Sequence, residues 1–464
     1  MERKLYTKGW FWLCIAIVVF LANQLPFLRD MRPVMYDEAW YADTAYNLLQ
    51  GHGLRNAIVG TRGNSNFLLP MLTAGVMAVF GCNLFSIRLT AVLCGVLTMV
   101  FLSFCMKQMH VGWKSQSFTF LLFVSLSVFN TIFRFGRPEC AAIMCVTGGI
   151  WLYLRYRTDA SWKNMIGMSV FVFLAGCAHP YALLLFALLG ILLLAEGLRD
   201  KNKKGLVNLI PLLLSAIVSV LAVAWVSKTY NVAGESYIKD RLSFKLIGEA
   251  LPMYFKEAFL SKTTLSFLPL LAVILIMSFK NKENRGLAWV ALAYFLVFPF
   301  LFSADLMMLG LGIDYVALVG VVLAAPFLEQ SLANRGKWMS PVFVIYCLGC
   351  LGLTYYYNYA VKYEKANTVL AKELPAVVPD GSKVFGPIRQ WPMLMKTNYQ
   401  SEHTVLPIEA VESYDYVILN SQDVELYPSY ACFLPIDDDK MELMYERNTR
   451  QYGIIKVYKT KTKK

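Results

Sequence analysis

Stretches of about twenty apolar residues recur along this chain, each long enough to cross a hydrocarbon layer about 30 Å thick. Within such a layer a span satisfies its own backbone hydrogen bonds by becoming an α-helix. Of the 464 residues, 57% are hydrophobic and only 16% charged, far too few charges to coat a soluble domain of this size. The expected fold class is therefore a polytopic α-helical membrane protein.

The net charge of +13 has a topological explanation. The cations cluster in short loops between apolar spans: Arg3, Lys4 and Lys8; Lys107 and Lys114; Arg155, Arg157 and Lys163; Arg199, Lys201, Lys203 and Lys204; Lys280, Lys282 and Arg285; Arg335 and Lys337. That placement marks cytoplasmic loops and argues against nucleic acid as a partner. Of the ten cysteines, Cys14, Cys94, Cys105, Cys145, Cys177 and Cys347 lie inside apolar spans and Cys432 in the hydrophilic tail, so no disulfide framework is implied. The basic N-terminus leads into a span from Trp10 to Leu28 without a small-residue cleavage site, which reads as a retained first helix.

Placing every basic cluster inside gives a path of about eleven crossings. Helix 1 exits near Leu28, and an outer loop over 29–85 follows, with an amphipathic helix from Glu38 to Gln50 and a semi-hydrophobic stretch from Phe67 to Phe80. Ser86 to Met106 returns, Gln116 to Phe133 exits, and Arg134 to Glu139 turn outside before a helix running back to Arg155. A hairpin turns at His179-Pro180, where proline disfavours helix continuation. Leu206 to Val226 exits to Ser227–Lys262, whose apolar spacing at Ile238, Leu242, Leu246, Ala250, Tyr254 and Ala258 reads as an interfacial helix. Two spans, Thr264 to Phe279 and Leu287 to Phe302, precede a short outer loop holding Asp305 and Asp314, and two more end near Tyr357. The domains expected are a transmembrane unit over 1–357 and a small C-terminal extracytoplasmic α/β domain over 358–464. Strands are predicted at Lys383-Val384-Phe385, Tyr416–Leu419 and Tyr452–Val457, with a turn at Asp380-Gly381.

This topology brings Asp37, Glu38 and Glu139 to the same outer face. Carboxylates there are costly to keep at a membrane edge and are suited to deprotonating an acceptor hydroxyl or amine. Asp37 also fits the first turn of the helix that follows it, a role compatible with catalysis. In Phe133-Arg134-Phe135-Gly136-Arg137-Pro138-Glu139, two guanidiniums stand beside an acid at a helix start, an arrangement that suits phosphate recognition by Arg134 and Arg137. Arg88, His179 and Tyr315 are further candidates for substrate contact, and Lys239, Arg241 and Lys245 for attracting an anionic head group. The four histidines are scattered, and no phosphate loop, zinc cluster or dinucleotide fingerprint is present.

With these residues in hand, the chain resembles the GT-C membrane glycosyltransferases, more narrowly the protein-mannosyltransferase and aminoarabinose-transferase-like group. The carriers are Tyr36-Asp37-Glu38 followed by Tyr41 to Gly51, then Phe80-Gly81 and Arg88-Leu89, and Arg137-Pro138-Glu139. The resemblance implies a polyprenyl-phosphate-linked sugar as donor and inverting transfer on the outer side of the membrane by a hexosyl- or pentosyltransferase. It makes Asp37 the base or acceptor-orienting acid and puts Glu139 in the second acidic position. The acceptor is a lipid, glycan or protein, the surrounding partners are membrane lipids, and the location is the plasma membrane with a cytoplasmic N-terminus. No cofactor is required, although Asp37, Glu38 and Glu139 are the oxygen ligands a divalent metal would use. Many relatives carry a basic residue before the tyrosine of a late helix; here Asp314 precedes Tyr315. The alternative reading is a transporter or flippase for a lipid-linked glycan, but no repeated halves are visible.

Overall fold

The computed structural model describes residues 7–26, 28–30, 32–60, 66–200, 206–229, 247–260, 267–302, 309–356, 364–403, 413–424 and 439–461. Its helices begin with α1 (Gly9–Gln24), α2 (Tyr36–Leu49), α3 (Leu68–Phe80), α4 (Leu84–Gln108), α5 (Trp113–Ser125) and α6 (Ser127–Ile132). There follow α7 (Pro138–Thr158), α8 (Trp162–Ala178), α9 (Pro180–Arg199), α10 (Ile210–Thr229), α11 (Ile247–Leu260), α12 (Leu268–Lys280), α13 (Arg285–Leu301) and α14 (Leu309–Tyr355). The helix α7 is buried on nearly every face, so it forms the centre of the bundle. Among the described residues α4, α9, α10 and the stretch Gly310–Ala333 of α14 are long and apolar enough to cross a membrane by themselves. The other apolar helices are shorter, at 10–17 residues, and the expected path of about eleven crossings depends on them as well.

Three boundaries differ from the sequence expectation. The span from Gln116 to Phe133 is broken at Leu126, whose ψ of 125° is extended. The amide of Asn130 donates across this break to the carbonyls of Val124 (2.8 Å) and Leu126 (3.1 Å), occupying at Val124 an acceptor that a continuous helix would use. The same amide's oxygen accepts from Asn23 (2.6 Å) and Gln24 (3.0 Å), which close α1 four residues before Leu28. Around Arg335 and Lys337, where a turn was expected, the backbone stays helical from Leu309 to Tyr355. That short basic stretch contains no proline and only one glycine among good helix formers. Asp314 accordingly belongs to a helix and not to a loop; Asp305 lies outside the described residues, as do Lys239, Arg241, Lys245 and Cys432.

Towards the C-terminus α15 (Ala366–Val377) precedes β1 (Lys383–Gly386), a 3-10 turn at Ile388–Met393, β2 (Asn398–Ser401), β3 (Tyr416–Asn420), α16 (Ser421–Val424), β4 (Met441–Thr449) and β5 (Gly453–Thr460). They make one sheet in the order β2-β1-β3-β5-β4, with β1 parallel to β2 and β3 and the other pairs antiparallel. Sequence reading missed two strands: β2 is Asn-Tyr-Gln-Ser with no apolar run, and edge strand β4 is mostly polar. Gly381, at φ +81°, makes the turn into β1 that a side chain would strain.

The sheet is clamped to the first loop. Val384, Ile388, Trp391 and Ile418 share a buried cluster with Val34, Ala39, Ala42, Ala45, Ile58 and Val59. Asn367 Nδ2 donates to the carbonyls of Arg29 (2.6 Å) and Arg32 (2.8 Å), and Thr368 N donates to Asp30 (2.7 Å). The Tyr452 hydroxyl accepts from Val34 N (2.8 Å), Gln451 donates to the Asp30 carbonyl (3.0 Å), and Ser401 N donates to the Ile58 carbonyl (2.7 Å).

Candidate active site

Residues 28–30 and 32–35 belong to the strap that delivers Tyr36-Asp37-Glu38 to the start of α2. Its carbonyls at Leu28, Arg29, Arg32 and Pro33 accept from the two terminal nitrogens of Arg88, at 2.9 to 3.4 Å. Arg88 also holds Glu38 bidentately, Nε to Oε1 at 2.8 Å and Nη2 to Oε2 at 3.0 Å, and both side chains are fully buried. Glu38 further accepts from Met35 N (3.3 Å), the backward half of a capping box, and from Gly136 N (3.3 Å). Sequence reading makes these two residues candidates for chemistry and substrate contact; the structure joins them to each other. Their hydrogen-bonding capacity is directed at the protein, and together Glu38 and Arg88 hold the strap.

Gly136 is what lets the turn after α6 approach so closely. A Cβ there would lie 2.4 Å from Ile87 Cγ2. The turn thereby seats Arg137, extended at φ −116° and ψ 152°, as the residue that opens α7, with Pro138 and Glu139 in its first turn.

One nitrogen of Arg137 meets two carboxylates. Its Nη2 lies 3.2 Å from Asp37 Oδ2 and 3.0 Å from Glu139 Oε1. Asp37 is 35% exposed and Glu139 only 5%, so one acid is reachable and the other is sealed. Burial opposes the charge on Arg137, but Glu139 and Asp37 more than offset it and raise its pKa, fixing a permanent cation. Beside them is a cavity of about 150 Å³ lined by Arg137, Glu139, Asp314 and Arg32, with Phe135 and Leu311 among its apolar walls. Arg32 also stacks over the Phe135 ring at 5.7 Å, and burial followed by the charge of Arg88 pushes its pKa down. Sequence reasoning missed Arg32 and left Asp314 in a loop. Neither lies in a motif, and the signal for each is its position in space.

The other candidates fall elsewhere. Arg134 is buried and donates to the Asn23 carbonyl at 3.3 Å, tying the turn to α1. His179 caps α9: its Nδ1 accepts from Tyr181 N at 3.3 Å and its ring packs on Tyr181. Tyr315 follows Asp314 on α14, fully buried with its ring 5.6 Å from that of Tyr294. Among the described residues no group of three or more His, Cys, Asp or Glu is placed to hold a metal ion.

Residues 65–227 match the family model described as dolichyl-phosphate-mannose-protein mannosyltransferase. No curated protein matches by sequence. Among solved structures, the chain is similar to ArnT from Cupriavidus metallidurans bound to undecaprenyl phosphate, with a TM-score of 0.63, 13% identity, and coverage of 97% of this chain and 98% of that one. The apo form of the same protein gives 0.62 at 12% identity, with the same coverage. The arabinofuranosyltransferase AftD from Mycobacteria gives 0.51 at 11% identity; it covers 100% of this chain, which spans 40% of AftD. The resemblance to GT-C membrane glycosyltransferases of the protein-mannosyltransferase and ArnT type thus holds in fold along nearly the whole chain.

Proposed function

We propose that this chain, with the fold of a GT-C membrane glycosyltransferase, moves a sugar from a polyprenyl-phosphate donor to a hydroxyl or amine acceptor at the outer membrane face. The observation that carries the reading is the shared nitrogen of Arg137. A reachable carboxylate and a sealed one meet on a single guanidinium, beside a cavity whose other cation is Arg32.

The chemistry assigns each group one task. Asp37 takes the proton of the acceptor as the acceptor atom attacks the anomeric carbon. The bond from that carbon to the phosphate oxygen breaks on the opposite side, so the configuration inverts and the lipid phosphate leaves with the electron pair. Arg137 and Arg32 stabilise that leaving anion, and in a water-poor cavity fixed charges of this kind are worth far more than in bulk water. Glu139 and Asp314 position Arg137. The reading needs no nucleotide, because a lipid phosphate is already a leaving group, and it requires no metal.

This assignment makes the chain an integral membrane protein of the plasma membrane, with its N-terminus cytoplasmic, residues 1–357 embedded, and 358–464 on the outer side. The test is transfer from labelled polyprenyl-phosphate sugars in membranes holding equal folded amounts of the native chain or Asp37→Asn. The native chain transfers and the variant does not. Equal transfer by both removes Asp37 from the reaction, and no transfer by the native chain across a broad donor panel removes the activity.

A further inference from the structure

Beside Asp37 lies a second polar constellation, built almost entirely by the sheet. The strands β2, β1 and β3 run parallel in that spatial order, so the chain leaves β1 towards one side and returns on the other. In open α/β sheets such a switch point, at the carboxyl ends of the strands, is where ligands sit. Here the ends carry Arg389 and Gln390 after β1, Ser401, Glu402 and His403 at β2, and Asn420 and Asp423 at β3.

Three of these residues, Arg389, His403 and Asp423, converge on Tyr36, the chain neighbour of Asp37. The Tyr36 hydroxyl donates to Asp423 Oδ1 at 2.7 Å, the Arg389 guanidinium lies 4.2 Å over its ring, and the His403 ring meets it edge-on at 5.1 Å. Glu402 accepts from Ile388 N at 2.7 Å, which ties the ends of β1 and β2 together. Tyr36, Arg389 and His403 are half-buried and form the mouth.

Buried residues at the same strand ends carry an anomaly. Gln390, Ser401, Asn420 and Asp423 are each 0% exposed. Both polar atoms of the Gln390 side chain, Ser401 Oγ, Asn420 Nδ2 and Asp423 Oδ2 have no hydrogen-bond partner among the described residues. Buried polar atoms are normally paired, and a concentration of orphans at one sheet end marks a place where a ligand completes the pairing. Two amides, a hydroxyl and a carboxylate offer donors and acceptors together, which matches a polyhydroxylated partner and not an anion.

We propose that the carboxyl ends of β1, β2 and β3, with Tyr36, form a subsite for the hydroxyl-rich saccharide portion of the acceptor. It hands one hydroxyl to Asp37. The assignment of a reacting hydroxyl rests on the glycosyl-transfer reading; saccharide binding does not. Burial also pushes the Glu402 carboxyl up to about 8 and the His403 imidazole down, so both face the subsite uncharged at neutral pH, in keeping with a neutral ligand.

The experiment is saturation-transfer NMR on the full chain in detergent, titrating a panel of methyl hexosides and neutral oligosaccharides, with thermal unfolding measured in parallel. The native chain binds at least one saccharide. Gln390→Met and Ser401→Ala each weaken that binding at least tenfold while their unfolding temperature holds or rises, as expected when an unpaired polar group is replaced by an apolar one. Absence of saccharide binding by the native chain overturns the proposal, as does undiminished binding by both folded variants. If one variant fails to fold, the other decides. Transfer without saccharide binding sinks the subsite and spares the enzyme; saccharide binding without transfer does the reverse.

Discussion

Asp37 and Glu38 are neighbours in the chain with nearly the same chemistry, yet the two regions they enter have opposite designs. Successive residues of a helix point about 100° apart. Glu38 therefore turns inward to Arg88 and is fully sealed, while Asp37 turns toward Arg137 and keeps 35% of its side chain exposed. In the sealed region one guanidinium serves one carboxylate and four strap carbonyls, with no hydrogen-bonding capacity to spare. In the open region a single nitrogen is shared by two carboxylates beside a cavity. Under the proposed function the difference separates a fully matched ion pair that serves as scaffold from an incompletely matched one that stays open to a substrate.

Removing one partner tests that contrast most forcefully on the sealed side. Arg88→Ala strands a buried carboxylate and detaches the strap, so it should cost about 3–5 kcal/mol and sharply lower the folded fraction in detergent. On the open side Asp37→Asn should leave the unfolding temperature within a degree or so of the native value and reduce transfer by about 10²–10⁴-fold, in line with loss of a general base. Arg32→Gln, with the same change of charge as Arg88→Gln, sharpens the comparison: it should lower transfer roughly 10²-fold with near-native folded yield, whereas Arg88→Gln lowers yield first. If both arginine variants fail in yield, the division between scaffold and chemistry is wrong.

Smaller effects calibrate the scale. The Glu402 carboxyl is raised from its ordinary 4.5 to about 8, chiefly by burial. Between those values the folded chain holds a proton that the unfolded chain has lost. The stability this contributes is complete below about pH 4.5 and disappears as pH rises through 8. Native protein should therefore lose on the order of a few degrees of unfolding temperature between pH 5 and 9, and Glu402→Gln should flatten that slope, with Arg389, Asp423 and His403 facing the site unchanged. Last, the Arg447–Glu373 pair at 2.5 Å is exposed on both sides, and Glu373→Gln should cost only about 0–1 kcal/mol in the same unfolding assay.

Much of the outline could be read from local pattern. The helix from Pro138, the break at His179-Pro180 and the strands beginning at Lys383 and Tyr416 follow from proline, spacing and β-branched runs. The sequence also places Asp37, Glu38 and Glu139 on one face, with Arg137 beside Glu139; the structure brings Asp37, Arg137 and Glu139 together and seats Glu38 on Arg88. What could not be read depends on partners distant in the chain. Arg88 reaches Glu38 fifty residues away, so a scaffold pair looks the same in sequence as two functional charges. Arg32 lacks any motif, and Asp314 looked like loop because the helix boundary near it was unmarked. Asn130 looked like an ordinary polar residue in a span, although its amide bridges the break in that span.

The clamp on the strap has a consequence for how the protein is born. Strap residues leave the ribosome 335 residues or more before the partners they bond to, Asn367, Thr368, Gln451 and Tyr452. Until then, the segment carrying Asp37 is held from one side only, by Arg88 and its neighbours. A nascent chain with every helix of the bundle made thus still has only the first of the two grips on the segment carrying Asp37. A stop codon near 440 would leave a bundle without the Gln451 and Tyr452 part of that second grip. The second grip on the strap therefore closes only after residues 367 to 452 have been made.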